Sequence, residues 1–125
     1  MIDVRDLKIG NWVYDGNKTQ FPMYVRAVGE DYVYLDFEGN ESDLWESEPK
    51  DLEGIPITEE LLKKIGFSQM CELFYLKGIE LTSTENGYIP SFNCCEYYIG
   101  EPIFYVHELQ NLYRCLTRKE LKIEL

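Results

Sequence analysis

Residues 56–67, Pro-Ile-Thr-Glu-Glu-Leu-Leu-Lys-Lys-Ile-Gly-Phe, hold a complete short helix with its own start and stop, and the sequence on either side is β-rich. Thr58 can accept an N–H from the first turn. Glu59 and Glu60 sit at the positive end of the helix, Lys63 and Lys64 at the negative end, and Gly66 can take the left-handed stop. Pro56 breaks the strand pattern that precedes it. Leu61, Leu62 and Ile65 form an apolar stripe that must be buried, and burying it ties the two halves of the chain together. A helix at mid-chain between strand-forming halves predicts an α+β protein, divided as residues 1–55 and 56–125 and packed as one unit.

The first half reads as short strands separated by turns. Asp6 to Tyr14 leads into the turn Asp15-Gly16-Asn17, and Met23 to Val28 is a β-branched and aromatic run ended by Gly29. Tyr32 to Phe37 alternates, with Val33, Leu35 and Phe37 on one face and Tyr32, Tyr34 and Asp36 on the other, before Gly39-Asn40 turns the chain. Short strands at this spacing predict a small barrel or strongly bent sheet, and Ile9-Gly10-Asn11-Trp12-Val13 resembles the opening turn of SH3-like barrels. The second half predicts an antiparallel meander: Cys71 to Leu76, Ile79 to Thr84, then Tyr88 to Tyr98 with a break at Pro90. Glu85-Asn86-Gly87 reads as a type I′ hairpin turn. A second helix from Phe104–Val106 to Leu116 places Val106, Leu109, Leu112, Tyr113 and Leu116 at helical spacing. Its opposite stripe, His107, Gln110, Asn111 and Arg114, is predicted to project outward. Leu121, Ile123 and Leu125 alternate with charged residues and read as a terminal strand.

Apolar residues make up 45% of the 125 and aromatics 14%, enough for a domain that folds without a disulfide or metal staple. Charges in Met1 to Asp6 and a longest charge-free run of ten residues, Asn86 to Cys95, predict neither export nor a membrane span. Cys71, Cys94, Cys95 and Cys115 form no C-x-x-C pair and read as reduced, packed thiols in the cytoplasm.

The formal net charge of −11 is local, because residues 30 to 60 hold twelve of the 23 acids and one base, Lys50. Such a field repels phosphate backbones, so nucleic-acid binding through this segment is not expected, whereas a basic protein surface is attracted to it. Glu38, Glu41, Asp43, Glu46 and Glu48 are the candidate residues for such a partner. A solvated loop that maintains solubility is the plainer reading of the same charges.

Chemistry-bearing motifs are sparse. His107 is the only histidine and has no nucleophile or orienting partner beside it in sequence, so an exposed or capping role is expected rather than a catalytic or metal-binding one. Adjacent Cys94 and Cys95 would point to opposite faces of a strand and do not have zinc-ligand spacing. Asp36, Glu38 and Asn40 alternate like calcium ligands, but the sixth loop position is Glu41 and the twelfth Ser47, where an EF-hand needs Gly and Glu. No phosphate-cradling glycine loop or serine-nucleophile motif is present, and no cofactor is expected.

Three stretches taken together carry a resemblance: Leu7 to Val13, Ile55 to Phe67, and Tyr105 to Tyr113 followed by Leu116 to Leu121. In that order they resemble a group of short proteins, with no assigned activity, from gut Gram-negative anaerobes and their phages or mobile elements. Members of that group usually carry Gly where this chain has Arg118, which implies a differently built stop after the second helix. The resemblance implies a bacterial or phage cytoplasmic protein. The functional expectation is a non-catalytic protein-binding module, with Glu38, Glu41, Asp43, Glu46, Glu48, His107, Gln110 and Asn111 as contact residues for a basic partner. A small hydrolase built on carboxylates is the competing class, since that geometry is spatial and leaves no sequence motif.

Overall fold

A computed structural model describes residues 2–16, 21–92, 100–123 and 125. Two antiparallel sheets and two helices make the protein α+β. The first sheet comprises β1 (Trp12–Asp15), β2 (Met23–Val28), β3 (Val33–Asp36), β4 (Trp45–Ser47) and β5 (Leu52–Gly54), in the order β4-β3-β2-β1-β5. A 3-10 helix, Val4–Asp6, precedes it, and a second, Pro49–Asp51, links β4 to β5. The register of β2 on β3 shifts between Val25 and Ala27, a bulge at Arg26 that sharpens the sheet's bend. Side chains of β4 thereby reach β1: Trp45 Nε1 donates to Asp15 Oδ2 at 3.0 Å, and the Ser47 hydroxyl donates to the same oxygen.

α1 (Glu59–Ile65) forms where the sequence predicts it. Thr58 Oγ1 accepts from Leu61 N–H at 3.1 Å, and Gly66, at φ 124°, donates back to Leu62 and Lys63. The second sheet has the order β6-β7-β8-β9, with β6 (Ser68–Met70), β7 (Leu73–Leu76), β8 (Ile79–Thr84) and β9 (Gly87–Phe92). α2 (Val106–Thr117) packs across it.

Several expectations are corrected. The acidic stretch is not one solvated loop, because it contains β4, a 3-10 helix and β5, which bury Ser47 and Leu52. Pro90 does not interrupt its strand: it pairs with Leu81 inside β9, an edge strand, where a missing N–H is tolerated. The hairpin at Glu85-Asn86-Gly87 is not type I′, since of Asn86 and Gly87 only Gly87, at φ 97°, has positive φ. Thr84 and Gly87 pair across the turn, and Thr84 Oγ1 accepts from Asn86 N–H at 3.1 Å. A Cβ on Gly87 would lie 2.8 Å from the Ile103 carbonyl oxygen, so close approach reinforces the choice of glycine. Leu121 and Ile123 pack on the core without a strand partner, so the terminal strand does not form there. Cys71 and Cys115 are exposed rather than packed, while the readings of Cys94, Cys95 and the chain to Ile99 lie outside the described residues.

Two cores meet at β1. Val13, with Met23, Val25, Val33, Leu35 and Leu52, fills the curled first sheet. Trp12 and Tyr14, pointing the other way, pack on the second core, built from Leu62, Phe74, Leu81, Val106 and Leu109 among others. One four-residue strand therefore serves both halves.

Candidate functional site

α2 is covered on both sides, and this overturns the expectation that His107, Gln110 and Asn111 project outward, while Arg114 is exposed as expected. Val106, Leu109 and Tyr113 are buried in the second core as the spacing predicts, while Leu112 is only partly buried. On the other side His107 is 4% exposed and Gln110 5%, with Asn111 half-buried. Gln110 Oε1 accepts from Trp12 N–H at 2.8 Å and its Nε2 donates to the Gly10 carbonyl at 3.0 Å. Asn111 Oδ1 accepts from Asn11 Nδ2 at 3.0 Å, and its Nδ2 donates to the Asp6 carbonyl at 2.7 Å. Each amide thus uses its acceptor and a donor on the turn that opens the first sheet. Gly10, at φ 96°, gives that turn its shape, and Asn11 Oδ1 closes it by accepting from Lys8 N–H at 2.8 Å.

The start of α2 is fastened to the middle of the chain. Pro56 and Tyr105 form a bridge, Ile57 N–H donates to the Phe104 carbonyl at 2.9 Å, and Val106 N–H donates to that of Ile55 at 2.8 Å. Glu108 reaches back to accept from Phe104 and Tyr105 N–H, both at 3.1 Å. Tyr105 packs over Gly54, where a Cβ would lie 2.4 Å from its ring, and stacks on His107 with ring centres 5.9 Å apart. His107 Nδ1 is buried and has no hydrogen-bond partner among the described residues. Burial pushes the imidazole below its ordinary pKa, against the opposing pull of the Glu108 and Asp6 carboxylates. The three stretches that carry the sequence resemblance therefore all meet around α2.

The five acidic candidates lie elsewhere. Glu38, Glu41 and Asp43 are exposed in the β3–β4 connection, Glu46 is exposed on the edge strand β4, and Glu48 is half-buried in a 3.0 Å ion pair with Lys50. Asp36 shapes this connection by accepting from Asn40 Nδ2 and Phe37 N–H, each at 2.9 Å. These bonds, chiefly that from Asn40, hold its carboxyl below the ordinary carboxylate range. Asp36 and Asn40, two of the residues that suggested calcium, thus hydrogen-bond to each other, and the described residues contain no cluster of three or more His, Cys, Asp or Glu placed to hold a metal.

Three grooves run beside α1, α2 and the extended residues that follow α2. The largest, about 900 Å³, lies between the Ile9–Gly10 turn, Leu61, Ile65 and Ile123. A second, about 670 Å³, lies between the β7–β8 turn and the end of α2. A third, about 600 Å³, is lined by Trp12, Phe21, Pro22 and Phe37, with Glu38 at its rim. Among the described residues, Glu120 is the one acidic side chain lining the first two and Glu38 the one lining the third.

Sequence reasoning missed Asp15, the buried carboxylate that joins β1 to β4. Its phase was a usable signal, because Asp15 lies two residues from Val13 and so on the inward face of the same strand. No protein-family model, curated protein or solved structure matches this chain.

Proposed function

We propose that the protein is a non-catalytic protein-binding module of bacterial or phage origin that works in the cytoplasm and receives a basic protein partner on its acidic face. The observation that carries this reading is the concentration of charge: twelve acids and one base within residues 30–60, with Glu38, Glu41, Asp43 and Glu46 exposed around one sheet edge. A field of that sign accelerates encounter with a basic surface and selects against acidic ones. The first sheet reads as an SH3-like barrel, supported by its strand order and by the 3-10 helix between β4 and β5. Exposed thiols at Cys71 and Cys115 agree with a reducing compartment. No described helix is long and apolar enough to cross a membrane. The hydrolase reading has less support, since it needs two facing carboxylates and, among the described residues, each of the three grooves is lined by one acidic side chain.

The test is a comparison of the native chain with a variant carrying Glu38→Gln, Glu41→Gln and Asp43→Asn, each immobilised and exposed to extract of bacterial cells. The native chain is expected to retain a defined basic protein at low salt and release it as ionic strength rises past about 0.15 M, where screening acts within about 8 Å. Equal retention by both chains, with equal thermal midpoints, would reduce the acidic edge to a device that keeps β4 soluble and unpaired.

A further inference from the structure

Five of the protein's twelve Lys and Arg residues line one groove, on a molecule whose net charge is −11. These are Lys77 from the β7–β8 turn, Arg114 and Arg118 from the end of α2, and Lys119 and Lys122 from the extended residues beyond it. Among the described residues that line the groove Glu120 is the single acid, and its carboxylate lies 3.4 Å from Arg114 Nε. Like charges gathered in this way repel one another; Arg114 has a structural role, since its Nη1 donates to the Arg118 carbonyl, but Lys77, Arg118, Lys119 and Lys122 stand around a groove otherwise lined by Ile65, Leu76, Tyr113 and Leu121.

The backbone supplies a second, independent observation. Among the described residues, three that are not glycine have positive φ, and two of them, Lys77 at 49° and Arg118 at 60°, line this groove. Both occupy turn positions where glycine is the least strained choice: Lys77 precedes Gly78, φ 89°, in a two-residue hairpin loop, and Arg118 ends α2 by donating its N–H to the Arg114 carbonyl at 2.9 Å. Cations thus stand at two places where the local conformation favours a residue with no side chain, and both are directed to the same groove. Residues held against backbone preference concentrate at ligand sites, where the strain is offset by what the side chain does.

We propose that this groove binds a compact ligand bearing two or more phosphate groups. The guanidinium fork of Arg118 matches phosphate oxygens in pairs, Lys77, Lys119 and Lys122 add point charges around it, and Arg114, already bonded to Glu120 and the Arg118 carbonyl, adds its charge and its remaining N–H groups. The ligand is compact because the groove encloses about 670 Å³, and a long polyanion leaving it would enter the field of a strongly acidic molecule.

The experiment uses the full chain with sodium tripolyphosphate as probe and sodium chloride of equal ionic strength as control. Tripolyphosphate is expected to raise the thermal midpoint and to titrate calorimetrically at one site per chain, whereas chloride does neither. The double variant Lys77→Gly, Arg118→Gly is expected to keep or raise the unliganded midpoint, because glycine relieves both turns, while its affinity falls at least about tenfold, the effect of losing 1.4 kcal/mol. Lys77→Gln with Arg118→Gln provides the same reading should the glycine variant fold poorly. No shift beyond the chloride control, or equal affinity in the variants, overturns the proposal. Tighter binding of a fifteen-nucleotide single strand than of tripolyphosphate at matched salt overturns the compact ligand.

Discussion

At the scale of single residues, side chains that look like a free polar surface in the sequence are internal fasteners. Gln110 satisfies one N–H and one carbonyl of the Gly10–Trp12 turn while itself buried, so removing it strands both. Gln110→Ala is expected to cost about 2–4 kcal/mol, from roughly 1–2 kcal/mol, the lower part of the range for an unsatisfied group, for each of the two part-buried backbone groups left without a partner. Asn111→Ala should cost about 1 kcal/mol, because that site is half-buried and water can replace the amide. Urea denaturation of the two variants checks the order, and a smaller effect at Gln110 than at Asn111 would mean that the turn is not held by this amide.

His107 gives the stability a pH dependence of definite sign. Its folded-state pKa is lowered by burial, so below the unfolded value of about 6.5 the unfolded chain takes up a proton that the folded one resists. Stability is therefore full above that pH and falls as pH drops from about 6.5 toward the folded pKa. Glu108 and Asp6 act against burial and limit the range, and carboxylates such as Asp36, whose pKa is lowered, lose their contribution only at lower pH. His107→Phe, which keeps a flat ring against Tyr105, should flatten the thermal midpoint between pH 5 and 7 relative to the native chain; an unchanged slope would place the titrating group elsewhere.

At the scale of elements, α1 and α2 end by different chemistry. α1 has its cap written locally, with Thr58 at one end and Gly66 at the other. α2 begins at Tyr105, whose side chain makes no capping bond, and relies on Glu108 to accept from the N–H groups of Phe104 and Tyr105. It stops on a left-handed Arg118, so the stop has the geometry that glycine usually provides, built with a residue that resists it. Glu108→Ala is expected to cost about 0.5–2 kcal/mol through the lost cap, and Glu108→Gln to recover most of it, as measured by chemical denaturation. Recovery by Gln separates the cap from the effect of Glu108's charge on His107, which Gln also removes.

At the scale of the whole molecule, the two sheets are expected to unfold as one cooperative unit because β1 belongs to both cores and α2 bonds to both halves. Trp45 packs on the first core and Trp12 on the second, so in a Trp12→Phe background the fluorescence of Trp45 reports the first half while far-UV circular dichroism at the helix band reports chiefly the other. In that background the two signals should follow one unfolding curve, and with Gln110→Ala and Asn111→Ala added the two should separate. Coincident curves in that variant would assign the coupling to the packing of β1 on the second core alone.

The local sequence determined what local physics can determine. Apolar alternation placed β3, a β-branched and aromatic run ended by Gly29 placed β2, the run before the Asn86-Gly87 turn signal placed β8, and the capped segment from Thr58 to Gly66 placed α1, because each signal and the structure it specifies lie within a few residues. The apolar stripe Val106, Leu109 and Tyr113 likewise oriented one side of α2. What lay on its other side was not legible, since a stripe of imidazole and amides suits water and a buried backbone turn equally well. Only the distant Gly10–Trp12 turn, 98 to 100 residues away, decides between them by offering unpaired backbone groups. The same holds for the charges: the acidic stretch is contiguous and visible at once, whereas the five cations of the second groove come from a turn, a helix end and an extended segment that only folding brings together.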